Sequence, residues 1–249
     1  MKNKVLITGA NKGIGFEVAR QLGHLGWSIL LGARNEQRGQ KAVKILQEEG
    51  VNDVEWLKID FNNLDTIARA AETVRANHSD LNVLINNAGI PGDMHKPGYE
   101  FDVTELREVI DVNFYGNFAM VKAFLPILRE NNGRILNLTI PIGTSLSNPN
   151  FNPFAYKTSK AALNAMIQSL GASFKQNSIP VEIFGVMPGG ITTDLNNNST
   201  GPFMKTVSAG GKVIVDLLLN GENYQGQVIN EWGVSAEYDT KYSLKSEPR

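Results

Sequence analysis

The amino-acid sequence predicts an α/β protein with a doubly wound, seven-stranded parallel sheet flanked by helices. Short apolar segments alternate with longer segments of helical periodicity along the whole chain, and the apolar segments are nearly continuous. Continuous apolar strands are typical of parallel sheets, because crossover helices bury both of their faces. No linker or repeat interrupts this order, so we expect one domain over residues 1–249.

The strands and two of the helices can be assigned from these patterns. The predicted strands are residues 5–8, 28–33, 54–59, 81–86, 134–138, 181–187 and 226–230. One face of the first helix carries Ile14, Val18, Leu22 and Leu25, and a long fifth helix carries Ile110, Phe114, Val121, Leu125 and Leu128.

Composition and charge exclude several classes of function. The formal net charge of −1 provides no basic surface for nucleic acid or an anionic membrane. The absence of cysteine excludes disulfides and thiol catalysis, and the three histidines lack the spacing of metal ligands, so no metal site is expected. The chain opens directly into a strand, without a signal peptide or long apolar span, which predicts a cytoplasmic protein.

The segment TGANKGIG, residues 8–15, follows the first strand and opens the first helix. Gly9 permits a tight turn, Gly13 lets the backbone approach a pyrophosphate, and Gly15 allows close contact between helix and strand. The free N–H groups of the helix N-terminus favour an anion. This position, more than the G-xxx-G-x-G spacing itself, predicts the dinucleotide site of a Rossmann fold, although a simple tight turn has the same pattern.

Two cations near this turn indicate which dinucleotide binds. Sites that prefer NAD usually carry an acidic residue after the second strand, where it holds the ribose 2′-hydroxyl. Here Arg34 stands in that place, and Lys12 lies within the glycine turn. Both suit a 2′-phosphate, so the sequence predicts NADPH/NADP+ as cofactor. Two solvated surface charges are the alternative interpretation.

The segment NPFAYKTSKAALNAM holds a candidate reactive pair. Asn152 can cap a helix, and Pro153 suits its first turn. Tyr156 and Lys160 are four residues apart and project from one helical face. The ammonium is expected to lower the pKa of the tyrosine and so make a usable proton donor. An exposed helical pair is the alternative.

Three further motifs follow the predicted strands and helices. NNAG, residues 86–89, closes the fourth strand, and PGGITT, residues 188–193, follows the sixth at the edge where ligands of open α/β sheets bind. Asn113 interrupts the apolar face of a long helix. A buried amide there needs partners, so it is either structural or connected to a site.

TGxxxGxG, NNAG, the helical asparagine, YxxxK and PG-x-I-x-T, in this order, resemble the short-chain dehydrogenase/reductase family along nearly the whole chain. The segments TGANKGIGFEVARQL and LGARNEQRG are most similar to its NADPH-dependent carbonyl reductase branch. The resemblance implies that Tyr156 protonates the substrate oxygen, that Lys160 holds the ribose hydroxyls, and that Asn113 holds a water of the proton relay.

Together, motifs and resemblance predict these cofactor-binding residues: Gly9, Asn11, Lys12, Gly13, Ile14, Gly15, Arg34, Asp60, Phe61, Asn86, Ala88, Gly89, Tyr156, Lys160, Pro188, Gly189, Ile191 and Thr193.

One expected hydroxyl is missing from the pattern. The family's fifth strand usually ends in two serines, the second of which binds the substrate oxygen, but here the pair is Thr139-Ile140. Successive side chains of a strand point to opposite faces, so Thr139 is not expected to replace the second serine. The predicted substrate pocket contains Ile140, Ile142 and Ser145, with Ser145 and Thr144 as candidate surrogates.

The sequence therefore predicts an NADPH-dependent reductase of a ketone or aldehyde. An imine or iminium reductase is an alternative, because it needs less stabilisation of a developing oxyanion. A low-turnover NADP(H)-binding sensor or scaffold is a second alternative. The resemblance also implies a homo-oligomer, either dimer or tetramer, and residues 192–208 are expected to form a mobile substrate loop.

Overall fold

The computed structural model describes residues 3–141 and 153–235. The strands are β1 (Lys4–Thr8), β2 (Ser28–Ala33), β3 (Val54–Lys58), β4 (Val83–Asn86), β5 (Arg134–Leu138), β6 (Glu182–Met187), β7 (Gly190–Ile191), β8 (Met204–Lys205) and β9 (Val228–Asn230). The helices are α1 (Gly13–His24), α2 (Glu36–Glu48), α3 (Asp65–Asn77), α4 (Val103–Ile110), α5 (Asn117–Glu130), α6 (Phe154–Gln176) and α7 (Val207–Leu219).

Seven of the strands form one parallel sheet in the order β3-β2-β1-β4-β5-β6-β9. The predicted Rossmann-type architecture is confirmed, and each predicted strand is found close to its expected bounds. Strand order reverses between β1 and β4, which opens a crevice at the carboxyl ends of these two strands. A separate ladder, in which β7 pairs with β8, was not predicted.

The core has two layers, one on each face of the sheet. Val5 and Ile7 of β1 pack into one layer, with residues of α1, α2 and α7. Leu6, the residue between them, packs into the other layer, with residues of α3, α5 and α6. This alternation along a strand buried on both faces explains why the apolar run of β1 is continuous.

The structure corrects three details of the helix predictions. Leu25 does not belong to the apolar face of α1, because the helix ends at His24 and Leu25 is 58% exposed. The predicted long fifth helix is interrupted: α4 and α5 are separated by a π-helical turn, Asp111–Gly116. Pro153 precedes the first residue of α6 instead of lying in its first turn, and Asn152 lies outside the described residues.

In the described ranges no helix is long and apolar enough to cross a membrane. The same residues contain no group of three or more His, Cys, Asp or Glu side chains placed to hold a metal ion.

Candidate active site

The glycine turn between β1 and α1 is held by close packing. Gly9 has a φ of +64°, and a Cβ at this position would lie 3.0 Å from Ala88 Cα. A Cβ on Gly15 would lie 2.5 Å from Asn87 Nδ2, so a side chain has no room there. Gly13 has a φ of +61° with open space beside it, which leaves its backbone accessible from the crevice. The three glycines therefore have the conformations and contacts that the predicted turn requires.

Thr8 and Asn87 connect this turn to the loop after β4 by hydrogen bonds, and sequence reasoning identified neither of them. The Thr8 hydroxyl accepts hydrogen bonds from the backbone N–H groups of Asn87 and Ala88, each at 3.0 Å. Asn87 Nδ2 donates to Thr8 O at 2.8 Å. The signals were present in the TG and NNAG motifs, whose polar residues stand at the ends of neighbouring strands. Their bonds set the spacing of the two loops that border the crevice.

A cleft of about 570 Å³ lies at the point where the strand order reverses. Eleven of the predicted cofactor-binding residues line it. They are Gly9, Asn11, Lys12, Gly13, Ile14, Arg34, Asp60, Phe61, Ala88, Gly89 and Thr193. The lining also contains residues that were not predicted: Ala33, Ile59, Asn62, Asn87, Ile90, Pro91, Val112, Thr192, Asp194, Leu195, Asn198 and Val207.

Several predicted residues lie behind the cleft surface instead of lining it. Asn86 is buried and donates from Nδ2 to Asn137 Oδ1 at 3.0 Å. Ile191 is 5% exposed and packs against Gly210. The carbonyl of Pro188 accepts a hydrogen bond from Lys205 Nζ, which also lies beside Gly189. These residues support the loops around the cleft, and their direct contact with a cofactor stays a prediction.

The cleft fits the phosphates of a dinucleotide. Lys12 is the N-cap residue of α1, its side chain makes no capping hydrogen bond, and the first turn contains no acidic side chain. The helix N-terminus therefore presents N–H groups and a positive dipole to an anion. Arg34 adds an exposed guanidinium with no hydrogen-bond or ion-pair partner among the described residues. Lys12 differs, since its Nζ lies 2.7 Å from Asp194 Oδ2.

Asn113 is fully buried and connects the loop after β4 to α6. Its Oδ1 accepts from Ile90 N at 2.8 Å, and its Nδ2 donates to Ile90 O at 2.8 Å. The same Nδ2 donates to Ser159 Oγ at 2.9 Å, and Ser159 Oγ donates to Tyr156 O at 2.6 Å. The predicted buried amide thus has its full set of partners, and they lead to the backbone of the candidate reactive tyrosine.

The π-helical turn alters the backbone bonds around Asn113. The N–H of Asn117 donates to Phe114 O, and the side-chain Nδ2 of Asn117 donates to Asn113 O at 2.7 Å. Asn117 is 1% exposed, and its Oδ1 has no hydrogen-bond partner. Sequence reasoning missed Asn117. In a regular helix a backbone N–H group would donate to the carbonyl of Asn113, and the side chain of Asn117 would not be needed.

Tyr156 and Lys160 lie together on α6, as predicted. Lys160 is 4% exposed, and its Nζ donates to Leu138 O at 2.8 Å and lies 5.6 Å from the centre of the Tyr156 ring. Burial lowers the pKa of Lys160 to about 8 and raises the pKa of Tyr156 to about 12. The predicted lowering of the tyrosine pKa is therefore wrong for this structure: loss of hydration outweighs attraction to the ammonium.

The lysine pKa makes the stability of the protein depend on pH. Between the folded value of about 8 and the ordinary value of 10.5, the unfolded chain binds more protons at Lys160 than the folded one. Stability therefore rises with pH across this window. From roughly pH 7.5 to 9.5, the parent should gain about 2 kcal/mol relative to Lys160→Met, measured by urea unfolding of both proteins. A stability difference independent of pH would show that Lys160 keeps an ordinary pKa when folded.

The end of β5 contains no free threonine hydroxyl. Thr139 is 4% exposed, and its Oγ1 donates to Asn164 Oδ1 at 2.5 Å. Asn164 Nδ2 donates in turn to Ile140 O at 3.1 Å, so this amide holds the end of the strand. Thr139 is thus engaged with α6, as strand alternation predicts. Ile140 is half-buried, whereas Ile142, Thr144 and Ser145 lie outside the described residues.

Comparison with known proteins extends this description. The model of the short chain dehydrogenase family matches residues 3–202. The (+)-neomenthol dehydrogenase of Arabidopsis thaliana is 35% identical over 158 residues, which cover 55% of this chain and 53% of that protein. The NADPH carbonyl reductase 3 of Rattus norvegicus is 38% identical over 135 residues, 54% of this chain and 47% of that protein. The matches thus span about half the length of these two curated relatives.

Solved structures agree in fold. The NADPH-bound carbonyl reductase from chicken fatty liver superposes with a TM-score of 0.83 at 23% identity, covering 94% of this chain and 99% of that one. The carbonyl reductase Sniffer of Drosophila melanogaster superposes with a TM-score of 0.81 at 25% identity, with the same coverage of both chains.

The fold and the cleft define an α/β protein of Rossmann type with a cleft suited to a dinucleotide. The family match covers most of its length, and the protein belongs to the short chain dehydrogenase family of NAD(P)-dependent oxidoreductases.

Proposed function

We propose that the protein is an NADPH-dependent reductase that transfers hydride to the carbonyl of a ketone or aldehyde, with Tyr156 as proton donor. The observation that carries this proposal is the pair Tyr156 and Lys160 beside the cleft. A Cβ placed on Gly89, which lines the cleft, would lie 3.7 Å from Lys160 Nζ. The pair is thus within reach of a ligand that extends past Gly89.

The protonation states of this pair are compatible with reduction. When bound, NADPH supplies the hydride. With a pKa of about 12, the Tyr156 phenol carries its proton at neutral pH and is in the form that donates to a developing alkoxide. Oxidation of an alcohol would instead need the phenolate as base, which burial disfavours. With a pKa of about 8, Lys160 is mostly charged at neutral pH and suited to hold ribose hydroxyls.

Arg34 and Lys12 support NADPH as the cofactor, because both line the cleft and both suit a 2′-phosphate. The relatives include a carbonyl reductase named for NADPH, and one structural neighbour was solved with NADPH bound. Asp60 and Phe61, which also line the cleft, would border the adenine.

Replacing Arg34 with Asp tests this cofactor preference. Loss of a charge-assisted bond to phosphate should cost about 1.5 kcal/mol at this exposed position, which weakens NADPH binding roughly 10-fold. NADH should bind as well as before or better, because an acidic residue suits a ribose hydroxyl. The measurement is kcat/KM for each cofactor, with Arg69→Asp on α3 as the control for charge. Equal efficiencies with NADH and NADPH in the parent would contradict the proposed preference.

An imine or iminium reductase is a second candidate, and Ile140 favours it. Carbonyl reduction benefits from a donor beside the developing oxyanion. Ile140 provides none, and the hydroxyl of Thr139 is already bonded to Asn164. A low-turnover sensor or scaffold is a third candidate, against which the retained Asn113, Tyr156 and Lys160 argue.

A steady-state screen of NADPH oxidation over ketones, aldehydes and cyclic imines separates these functions. Turnover of ketones or aldehydes supports the main proposal, and turnover restricted to imines supports the second. Tight NADPH binding without turnover of any of them supports the sensor.

The same proposal includes a small-molecule substrate, a cytoplasmic location and a dimer or tetramer packed through the long helices. Light scattering of the purified protein tests the assembly. We also propose that residues 192–208 border the substrate. Most of this segment lies in the loop between the paired strands β7 and β8.

A further inference from the structure

An ion pair at the dinucleotide cleft has no role in the function proposed above. Lys12 Nζ lies 2.7 Å from Asp194 Oδ2, although the residues are 182 positions apart in the chain. Lys12 belongs to the glycine turn, and Asp194 begins a single 3₁₀-helical turn, Asp194–Asn196, that follows β7. Both residues line the cleft, so the pair connects two of its loops.

Asp194 is an unfavourable residue in a site for a polyanion. The Lys12 ammonium holds the pKa of the Asp194 carboxyl below its usual value, so this group is ionised at neutral pH. A carboxylate and a phosphate seek the same partners, namely ammonium groups and the N–H groups of a helix N-terminus. Lys12 stands at the N-cap of α1, where both kinds of partner meet.

We propose that Asp194 weakens the affinity of this cleft for NADP(H), and so reduces its preference over NAD(H), by competing with the 2′-phosphate for Lys12. The inference rests on the proposed use of NADPH. The Lys12 ammonium must leave the carboxylate before it pairs fully with a phosphate, and this exchange reduces the net gain from binding. NAD(H) has no 2′-phosphate, so Asp194 reduces the affinity for NADP(H) more than the affinity for NAD(H).

The exposure of the Lys12 and Asp194 side chains determines how strongly their ion pair should reduce the affinity for NADP(H). The side chains of Lys12 and Asp194 are 61% and 63% exposed, and exposed ion pairs are weak. A phosphate can therefore displace the carboxylate, and the competition changes affinity several-fold. Arg34 has no such competitor among the residues described, so the preference for NADP(H) remains while its strength is reduced.

The substitution Asp194→Asn tests the proposal because it removes the charge and keeps the shape. Isothermal titration calorimetry with NADP+ should show a Kd about 2- to 5-fold lower than in the parent, whereas the Kd for NAD+ should change less than about 1.5-fold. The control Asp216→Asn makes the same change of net charge in another exposed pair, formed with Lys212 outside the cleft lining, and should leave both constants unchanged.

The same substitution in a Lys12→Met background shows whether Asp194 acts through Lys12. There Asp194→Asn should no longer tighten NADP+ binding. Equal tightening in both backgrounds would mean general charge repulsion and would overturn the proposal. Unchanged or weaker NADP+ binding in the single variant, or an equal gain for NAD+, would overturn it as well.

The parent titrations separate this inference from the proposed function. A parent protein that binds neither nucleotide, or that binds both equally, contradicts the proposed NADPH dependence. A parent that prefers NADP+ but is unaffected by Asp194→Asn contradicts only the role of Asp194.

Discussion

Replacing Tyr156 with Phe should reduce the turnover of a ketone by about 100-fold or more, because the ring stays in place while the donated proton is lost. The structure agrees with the protonated form that this role needs. With a pKa of about 12, the phenol is protonated at neutral pH, so each active site carries the donor form that the substitution removes.

Cofactor binding should survive this change. Lys160 keeps its bond to Leu138 O, and the lining of the cleft does not include the tyrosine. Steady-state kcat and the Kd of NADPH are the two measurements. Tyr99→Phe is the matched control, since Tyr99 is 88% exposed and loses the same hydroxyl. Unchanged ketone turnover in Tyr156→Phe would reject Tyr156 as proton donor.

Replacing Ile140 with Ser should raise kcat/KM for simple activated ketones by at least about 10-fold. A single donor aimed at a developing alkoxide is typically worth about 2.7–4 kcal/mol in a dry site, which corresponds to roughly 100- to 1,000-fold. The lower bound allows for a partial substitute from Thr144 or Ser145. Thr139 is not such a substitute, because its hydroxyl is bonded to Asn164.

Ile140→Ala distinguishes the hydroxyl from the space that the substitution creates. It removes the branched side chain as Ser does but adds no donor, so it should not increase ketone turnover. An equal increase in both variants would assign the effect to space alone. If neither variant changes ketone reduction while Ser145→Ala abolishes it, Ser145 supplies the donor. If none of the three matters, Tyr156 works without this help, and reduction of a C=N bond becomes the better proposal.

Local features of the sequence were sufficient to predict the sheet and the glycine turn. The predicted bounds of β2 and β5, residues 28–33 and 134–138, agree with the structure at both ends. Both strands are short apolar runs next to turn residues, so their extent depends on nearby sequence. Gly9 and Gly13 have the positive φ angles expected of their turn, because this preference belongs to glycine itself.

The predictions that failed or were incomplete depend on the three-dimensional surroundings of a residue, which its neighbours in the sequence do not specify. The helix around Asn113 was predicted to be continuous, but a π-helical turn interrupts it. The pKa of Tyr156 was predicted from its spacing to Lys160, whereas loss of hydration at this half-buried side chain raises it. Asp194, the partner of the Lys12 ammonium, is 182 residues away in the chain, and nothing in the glycine motif indicates this contact.

The amino-acid sequence alone was sufficient to predict the order of strands and helices, the position of the candidate dinucleotide cleft and the candidate reactive pair. These features depend on hydrophobic periodicity, glycine conformation and a spacing of four residues in a helix, all of which act over short distances along the chain. The partners and protonation of the polar side chains became visible only in the folded protein: Thr139 with Asn164, Lys160 with the carbonyl of Leu138, and Lys12 with Asp194. Desolvation and hydrogen bonding depend on which groups meet in space, and the packing of the helices on the sheet brings these groups together.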